Sequence, residues 1–198
     1  MKKTTLLLLL SSLLFSCNLP SYVFTDNAVA TGLDFREGKW LLNEIVDPTT
    51  SRSTAKNLVV KKLKDRLGNR LIYSNDSNSL LLPKNIKSNP TKEILKDLKK
   101  GSGVDFFINV KINVISNSLS DINLTNHRFN ENLSKSVEVL FEVYDLNMPN
   151  IIYSKKVLGR VSIAENNNSD VNFSASTTKL VLGCLNKILR DIEKKSIK

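Results

Sequence analysis

Two stretches in the second half of the chain alternate apolar and polar residues, the pattern of a β-strand with one buried face. In residues 104–115 every even position up to 114 is apolar, and in residues 137–144 every odd position is apolar. A turn-rich segment, residues 145–150, then leads into a third apolar-rich stretch, residues 151–163. Because antiparallel neighbours are commonly joined in this way, the pattern predicts an antiparallel meander of three strands.

A helical period is clearest in residues 177–195, where apolar residues recur every three or four positions. The apolar stripe consists of Leu180, Val181, Cys184, Leu185, Ile188, Leu189 and Ile192. The opposite side of the same helix carries Gly183, Asn186, Lys187, Arg190 and Lys194. We expect the stripe to pack on the sheet face that carries Phe106, Ile108 and Val110.

The first half of the chain alternates predicted strands with predicted helices. Residues 39–46 and 70–74 are short apolar runs, which is typical of buried strands. Between them, residues 55–67 have a helical period that ends at Gly68, and a shorter helix follows Thr91, a residue type that caps helices. Two strands joined through a helix predict a parallel pair with a right-handed crossover.

These elements together predict the order β-α-β-α-β-β-β-α. We expect an α/β (mixed α+β) fold: one domain, residues 38–198, with a single mixed five-stranded sheet covered by helices. Residues 18–37 show no period and few charges, so the sequence predicts a tether there and not a part of the domain.

The first seventeen residues have the organisation of an export signal. Lys2 and Lys3 form a positive start, and residues 6–15 form an apolar core that is too short for the ~20 residues needed to span a bilayer. The end, Leu14-Phe15-Ser16-Cys17, resembles the bacterial lipobox, in which Leu at −3 and a small residue at −1 precede a lipidated Cys. The alternative is an ordinary secretory signal followed by a chance Cys.

The lipobox resemblance implies that residues 1–16 are removed as a lipoprotein signal peptide and that Cys17 becomes the acylated amino terminus. Two or more acyl chains give stable membrane attachment, and residues 17–37 would form the lipidated tether. In enteric-type sorting an Asp after the Cys retains a lipoprotein in the inner membrane, so Asn18 favours the outer membrane. We therefore expect a lipid-anchored protein of the cell envelope, with the membrane as one partner.

The mature chain is basic. Removing Lys2 and Lys3 from the 29 basic residues leaves 27, which against 19 acidic residues gives a net charge of +8. Basic proteins often bind nucleic acid, but an exported lipoprotein is carried away from it, so no nucleic-acid partner is expected. Anionic lipid headgroups or lipopolysaccharide are the expected counterparts of a functional charge, and solvated lysines on an ordinary surface are the alternative.

The mature sequence shows no recognisable catalytic or metal-binding pattern, so we expect a protein that is not an enzyme and that carries no metal or cofactor. A zinc site needs three or four Cys, His or carboxylate ligands, and the one His, His127, falls in a polar segment. Cys184 lies on the apolar helix stripe, where a thiol is mostly inert. Glu138 and Glu142 would lie about 13 Å apart along a strand, beyond the ~5.5–9.5 Å of glycosidase pairs, which favours the solvent face of a sheet.

Three segments carry a family resemblance: the helix running through Gly68 into RLIYS, then GSGVDFFINVKI, then FEVYDLNMPNIIYS. In this order they are similar to the small α/β domain of the curli-secretion lipoprotein family and of the TolB amino-terminal domain, whose motif positions Gly103, Asp105 and Asp145 would occupy. The resemblance covers roughly residues 38–195 and implies an envelope domain that binds other proteins. The sequence does not show the paired amphipathic hairpins of a membrane pore, so a secretion channel is not expected.

From these features we expect a non-catalytic envelope adaptor or assembly factor that binds other envelope proteins. Its contact surface would include the polar segment 116–134, with Phe129 and Leu133 as candidate partner-binding residues, because isolated apolar groups in a long polar loop can fill a partner's pocket. Two alternatives stand beside it: a lipopolysaccharide-assembly-type lipoprotein that binds an anionic lipid, and an unrecognised envelope enzyme. A basic cleft would favour the lipid, an apolar patch a protein partner, and clustered carboxylates an enzyme.

Overall fold

The computed structural model describes residues 19–25, 29, 32–49, 52–74, 86–116, 133–163 and 176–197. Six strands and three helices lie within these residues. The strands are β1 (Ser21–Phe24), β2 (Trp40–Leu42), β3 (Leu71–Tyr73), β4 (Phe106–Ser116), β5 (Leu133–Asp145) and β6 (Asn150–Ile163). The helices are α1 (Arg52–Leu67), α2 (Lys92–Ser102) and α3 (Thr177–Lys195).

All six strands belong to one mixed sheet in the order β1-β6-β5-β4-β2-β3. Strand β2 is parallel to both β3 and β4, while β4, β5, β6 and β1 pair antiparallel with one another. The predicted parallel pair, the predicted meander and the mixed α/β class are therefore confirmed. The sheet has six strands where five were predicted, because β1 was not foreseen.

Strand β1 lies in the segment that was predicted to be a tether. It pairs with β6 from Ser21 opposite Arg160 to Phe24 opposite Val157, and farther along the same segment Leu33 and Phe35 are buried in the core. A strand of four residues is too short to show a period, and its pairing depends on β6, which is distant in the sequence. The expectation that structure begins only at residue 38 is therefore wrong.

The two faces of the sheet are covered by different helices. The larger core lies between one face and the pair α1 and α3, and it contains the predicted α3 stripe together with Ile108 and Val110 of β4. The predicted packing of α3 on this face is thus confirmed. A smaller core on the other face joins Leu95 and Leu98 of α2 to Phe107. Because successive residues of a strand point to opposite faces, Phe107 and Ile108 belong to different cores.

The helix ends follow the predicted signals. Thr91 caps α2, its hydroxyl accepting a hydrogen bond from the Ile94 amide at 3.4 Å. Gly103 ends that helix with φ at +66°, and Gly68 follows α1 with φ at +55°, both in the left-handed region that favours glycine. Helix α1 starts at Arg52, three residues before its predicted start at residue 55.

Several strands differ in length from their predictions. Strand β2 covers Trp40–Leu42 instead of residues 39–46, because beyond Leu42 the chain leaves the regular ladder. Strands β4 and β5 extend to Ser116 and from Leu133, so the two ends of the polar segment 116–134 are strand residues. The remaining part, residues 117–132, lies outside the described residues.

Candidate functional site: a basic cleft beside the first strand

Strand β1 rests against α3 through one aromatic side chain. The Tyr22 ring packs on Gly183 of α3 and lies near Gly159 of β6, two positions where a Cβ atom would overlap it or crowd it. The Tyr22 hydroxyl donates a hydrogen bond to the Lys179 carbonyl oxygen at 3.3 Å. Because these two glycines have no side chains, the Tyr22 ring can pack closely against them, and this packing holds β1 at the edge of the sheet.

The same contact leaves an open cleft between β1 and the outer side of α3. We call it the β1–α3 cleft; it has a volume of about 520 Å³. Its lining residues are Tyr22, Phe24, Gly183, Asn186, Lys187, Arg190, Asp191 and Lys194. Strand β1 thus supplies the aromatic side chains of the cleft, and the face of α3 opposite to the apolar stripe supplies its charges.

Two ammonium groups lie over the Phe24 ring. Lys187 Nζ is 5.2 Å and Lys155 Nζ is 5.7 Å from the ring centroid, within the range of cation–π interactions. The ring is itself only partly buried. These contacts hold two positive charges beside the Phe24 ring, and Lys187 is the one of the two that lines the cleft.

The acidic residues near the cleft are already engaged by other groups. Asp191 accepts a hydrogen bond from the Tyr153 hydroxyl at 3.1 Å and pairs with Lys195 at 3.0 Å. Glu193 pairs with Arg66 of α1 at 2.7 Å. Burial and the neighbouring Asp191 carboxylate raise the pKa of Tyr153, so its hydroxyl stays a donor to this carboxylate.

Among the described residues, the basic side chains of the cleft have no such partners. None of the ion pairs between described residues involves Lys187, Arg190 or Lys194. Arg190 and Lys194 are exposed and Lys187 is half-buried. The cleft therefore presents three positive charges to solvent, and among the described residues its one carboxylate is paired elsewhere.

The packing of Tyr22 on Gly183 can be tested by its effect on stability. We expect Gly183→Ala to lower the free energy of unfolding by about 1–2 kcal/mol, because a Cβ would overlap the Tyr22 ring and overpacking costs more than the gain in helix propensity. Gly101→Ala in α2 is the matched control, since no atom lies within 4 Å of its added Cβ. The melting temperature of Gly183→Ala should lie several degrees below that of Gly101→Ala. Equal melting temperatures would contradict the close packing of Tyr22 on Gly183.

The structure places the predicted site residues unequally. Cys17, Phe129 and His127 lie outside the described residues, so their roles stay predictions. Leu133 is the first residue of β5, where its Cα is paired with that of Ile163. The expectation that Leu133 lies in a loop is therefore wrong.

We expected Glu138 and Glu142 to lie on the solvent face of the sheet, and for Glu142 this is wrong. Glu142 is buried, and its Oε2 accepts a hydrogen bond from Asn109 Nδ2 at 3.2 Å. Asn109 in turn accepts from Asn43 Nδ2 at 2.9 Å, and Asn43 also donates to the Ile86 carbonyl at 2.7 Å. This buried network closes the floor of a second cleft, of about 450 Å³. The network holds the chain at Ile86 against the sheet, which is a structural role.

The other singled-out residues have structural positions. Cys184 is fully buried, which raises the pKa of its thiol to about 12 and keeps it protonated at neutral pH. Trp40 is fully buried in the larger core. Asp105 joins β4 to α2 through Lys99 Nζ at 2.7 Å and accepts from the Lys39 amide at 2.8 Å. Asp145 accepts from the Asn147 amide at 2.8 Å, in the turn before β6.

No helix in the described part of the chain is long and apolar enough to cross a bilayer. No group of three or more His, Cys, Asp or Glu side chains in that part is arranged to hold a metal ion.

The β1–α3 cleft was not predicted from the sequence. Its aromatic half comes from β1, which was read as a tether, and its charged half comes from the polar side of α3. One signal was present: Gly183 sits within an otherwise good helix, and a glycine there indicates close packing by another group. Lys187, Arg190 and Lys194 follow this glycine at spacings of three and four residues, so they lie on one side of the helix, together with Asp191.

Comparison with known proteins shows distant structural likeness only. No family model and no curated protein matches the chain. The fold is similar to that of the PelC dodecamer from Paraburkholderia phytofirmans, at 9% identity and a TM-score of 0.44, over 91% of this chain and 100% of that one. It is also similar to lipoprotein GNA1162 from Neisseria meningitidis, at 10% identity and a TM-score of 0.39, over 80% and 99%.

A further similar structure is the hypothetical protein CT253 from Chlamydia trachomatis. The identity is 13% and the TM-score 0.39, over 84% of this chain and 95% of that one. The resemblance to the curli-secretion and TolB families stays a prediction.

Proposed function

We propose that the protein is a lipid-anchored, non-catalytic adaptor of the bacterial cell envelope that binds other envelope proteins at the membrane surface, with the outer membrane as its site. The observation that supports this is the position of β1. Its first residue, Ser21, follows the predicted acylation site Cys17 by four positions, which at ~3.3–3.6 Å per residue spans at most ~14 Å. The anchor therefore holds the domain close to the membrane.

The strand register defines which end of the sheet lies near the anchor. Ser21 is opposite Arg160 of β6, Arg160 is opposite Ser136 of β5, and Ser136 is opposite Ile115 of β4. The end of β4 and the start of β5 therefore lie at the anchor end. Residues 117–132 connect these two strand ends, so a partner that binds this segment would do so beside the membrane.

A test of the protein-binding role replaces residues 118–132 by a short Gly-Ser turn. We expect the trimmed protein to fold, because the replaced residues lie beyond the ends of β4 and β5, and to lose the partners that the wild type captures. The measurement is crosslinking in native membranes followed by affinity purification and mass spectrometry, with unchanged thermal unfolding as the control for folding. Capture of every wild-type partner by the folded, trimmed protein would rule out this contact surface.

A second candidate function is that of an assembly lipoprotein that binds an anionic lipid. One observation favours it: the β1–α3 cleft carries Lys187, Arg190 and Lys194 without a carboxylate partner among the described residues. The two functions are compatible, since an adaptor that is held on a membrane can contact lipid with one surface and protein with another.

A further inference from the structure

We infer that the β1–α3 cleft binds the phosphate-bearing headgroup of an anionic lipid in the membrane that holds the anchor. The inference deepens the proposed function and rests on its lipid anchor. It names the ligand of one surface and thereby the side of the domain that faces the bilayer.

The positive charges of the cleft lie in one row on α3. Lys187, Arg190 and Lys194 follow one another at spacings of three and four residues on α3, so their side chains project from one side of the helix. Guanidinium and ammonium groups are the usual protein ligands of phosphate, Arg through paired hydrogen bonds and Lys as a point charge. Asp191, the one described carboxylate of the cleft, is engaged by Tyr153 and Lys195, so an anionic headgroup would supply counter-charge to the three basic groups.

Two aromatic side chains of β1 form one wall of the cleft. Tyr22 and Phe24 are both half-buried and line the cleft beside the basic row. Aromatic side chains are favoured at the boundary between water and lipid, and long basic side chains can keep their charge in the headgroup layer while their methylene stems contact apolar groups. The cleft therefore combines the two kinds of side chain that a headgroup and its glycerol backbone contact.

The cleft is separated from the predicted anchor, Cys17, by a short length of chain. Phe24 follows Cys17 by seven positions, so at most ~25 Å of extended chain separates them. Along α3, Gly183 and Lys194 are eleven residues apart, or ~17 Å at 1.5 Å per residue. With its outer side against the membrane, α3 can place the whole cleft in the headgroup layer while Cys17 stays inserted. A lipid of that membrane is the anion available there at the highest local concentration, which favours it over an acidic segment of a protein.

The test is native mass spectrometry of the mature lipoprotein, extracted from membranes in a non-ionic detergent and titrated with phosphatidylglycerol or with phosphatidylcholine. The cleft variant is Lys187→Gln with Arg190→Gln. The control is Lys61→Gln with Lys64→Gln, which removes two charges from exposed positions of α1. At about fivefold per basic residue, the cleft variant should bind phosphatidylglycerol about 25-fold more weakly than the wild type, and the control should match the wild type. Phosphatidylcholine should bind weakly to all three.

Several results would overturn the inference. These are equal phosphatidylglycerol affinities of the cleft and control variants, equal affinities for the two lipids, and saturation of the cleft by inorganic phosphate or an acidic peptide at the concentrations at which lipid binds. The same spectra separate this failure from that of the anchor. An acylated mass with cleft-independent lipid binding would remove the inference and keep the anchor. A mass without acyl chains would remove the anchor and with it the membrane as the source of the lipid.

Discussion

Ile188→Asp should abolish the folded state. Ile188 is fully buried at the centre of the larger core, between α3 and the sheet. A carboxylate introduced there has no partner among the described core residues, and burying an unpaired charge costs several kcal/mol, a large share of the ~5–15 kcal/mol by which domains are stable. Circular dichroism during heating should show no cooperative transition, or one lowered by tens of degrees.

The control for this substitution lies two positions further along the same helix. Arg190→Asp introduces the same side chain at an exposed position, where surface substitutions usually change stability by about 0.5 kcal/mol or less. Its melting temperature should stay within a few degrees of the wild type. An Ile188→Asp protein that melts like the wild type would contradict the packing of α3 on the sheet.

Cys17→Ala should release the protein from its membrane anchor. The substitution removes the acyl attachment point, and anchoring by two or more chains depends on ~0.8 kcal/mol for each buried CH₂ group. We expect the variant to accumulate with its signal peptide uncleaved and to lack the mass of the acyl chains. Intact-mass spectrometry and partitioning into a detergent phase are the measurements.

The second cysteine provides the matched control for the anchor. Cys184→Ala should be processed and acylated like the wild type, because Cys184 is buried in the core and is not part of the signal sequence. Its effect should be a modest loss of stability from the smaller side chain. A wild-type protein with an unmodified amino terminus would rule out the anchor altogether.

The bounds of long periodic segments could be predicted from the sequence, whereas short strands were either predicted too long, as β2 and β3 were, or missed, as β1 was. Helix α3 has the predicted bounds, Thr177–Lys195, and all seven residues of its stripe are buried, because nineteen residues repeat the helical period five times. Strand β1 has four residues, and β2 and β3 have three each. Such strands are defined by pairing with distant strands, which no local period can reveal.

The same reason explains what was missed at the two clefts. The burial of Glu142 depends on Asn109 and on Asn43, which lies 66 positions before Asn109. The β1–α3 cleft depends on a contact between Tyr22 and Gly183, which are separated by most of the chain. The individual residue types were visible in the sequence, but their neighbours come from the fold.

We propose an orientation of the domain on the membrane in which the β1–α3 cleft faces the lipid. It can be measured with a nitroxide attached to Asn186→Cys, a cleft position whose replacement leaves the basic row intact, and with the same label on Asp97→Cys, an exposed position of α2 on the other face of the sheet. The acylated proteins are placed on vesicles that contain anionic lipid and a lipid with a nickel-chelating headgroup. We expect strong relaxation of the label at 186 and weak relaxation at 97; equal relaxation at both positions, or stronger relaxation at 97, would contradict this orientation.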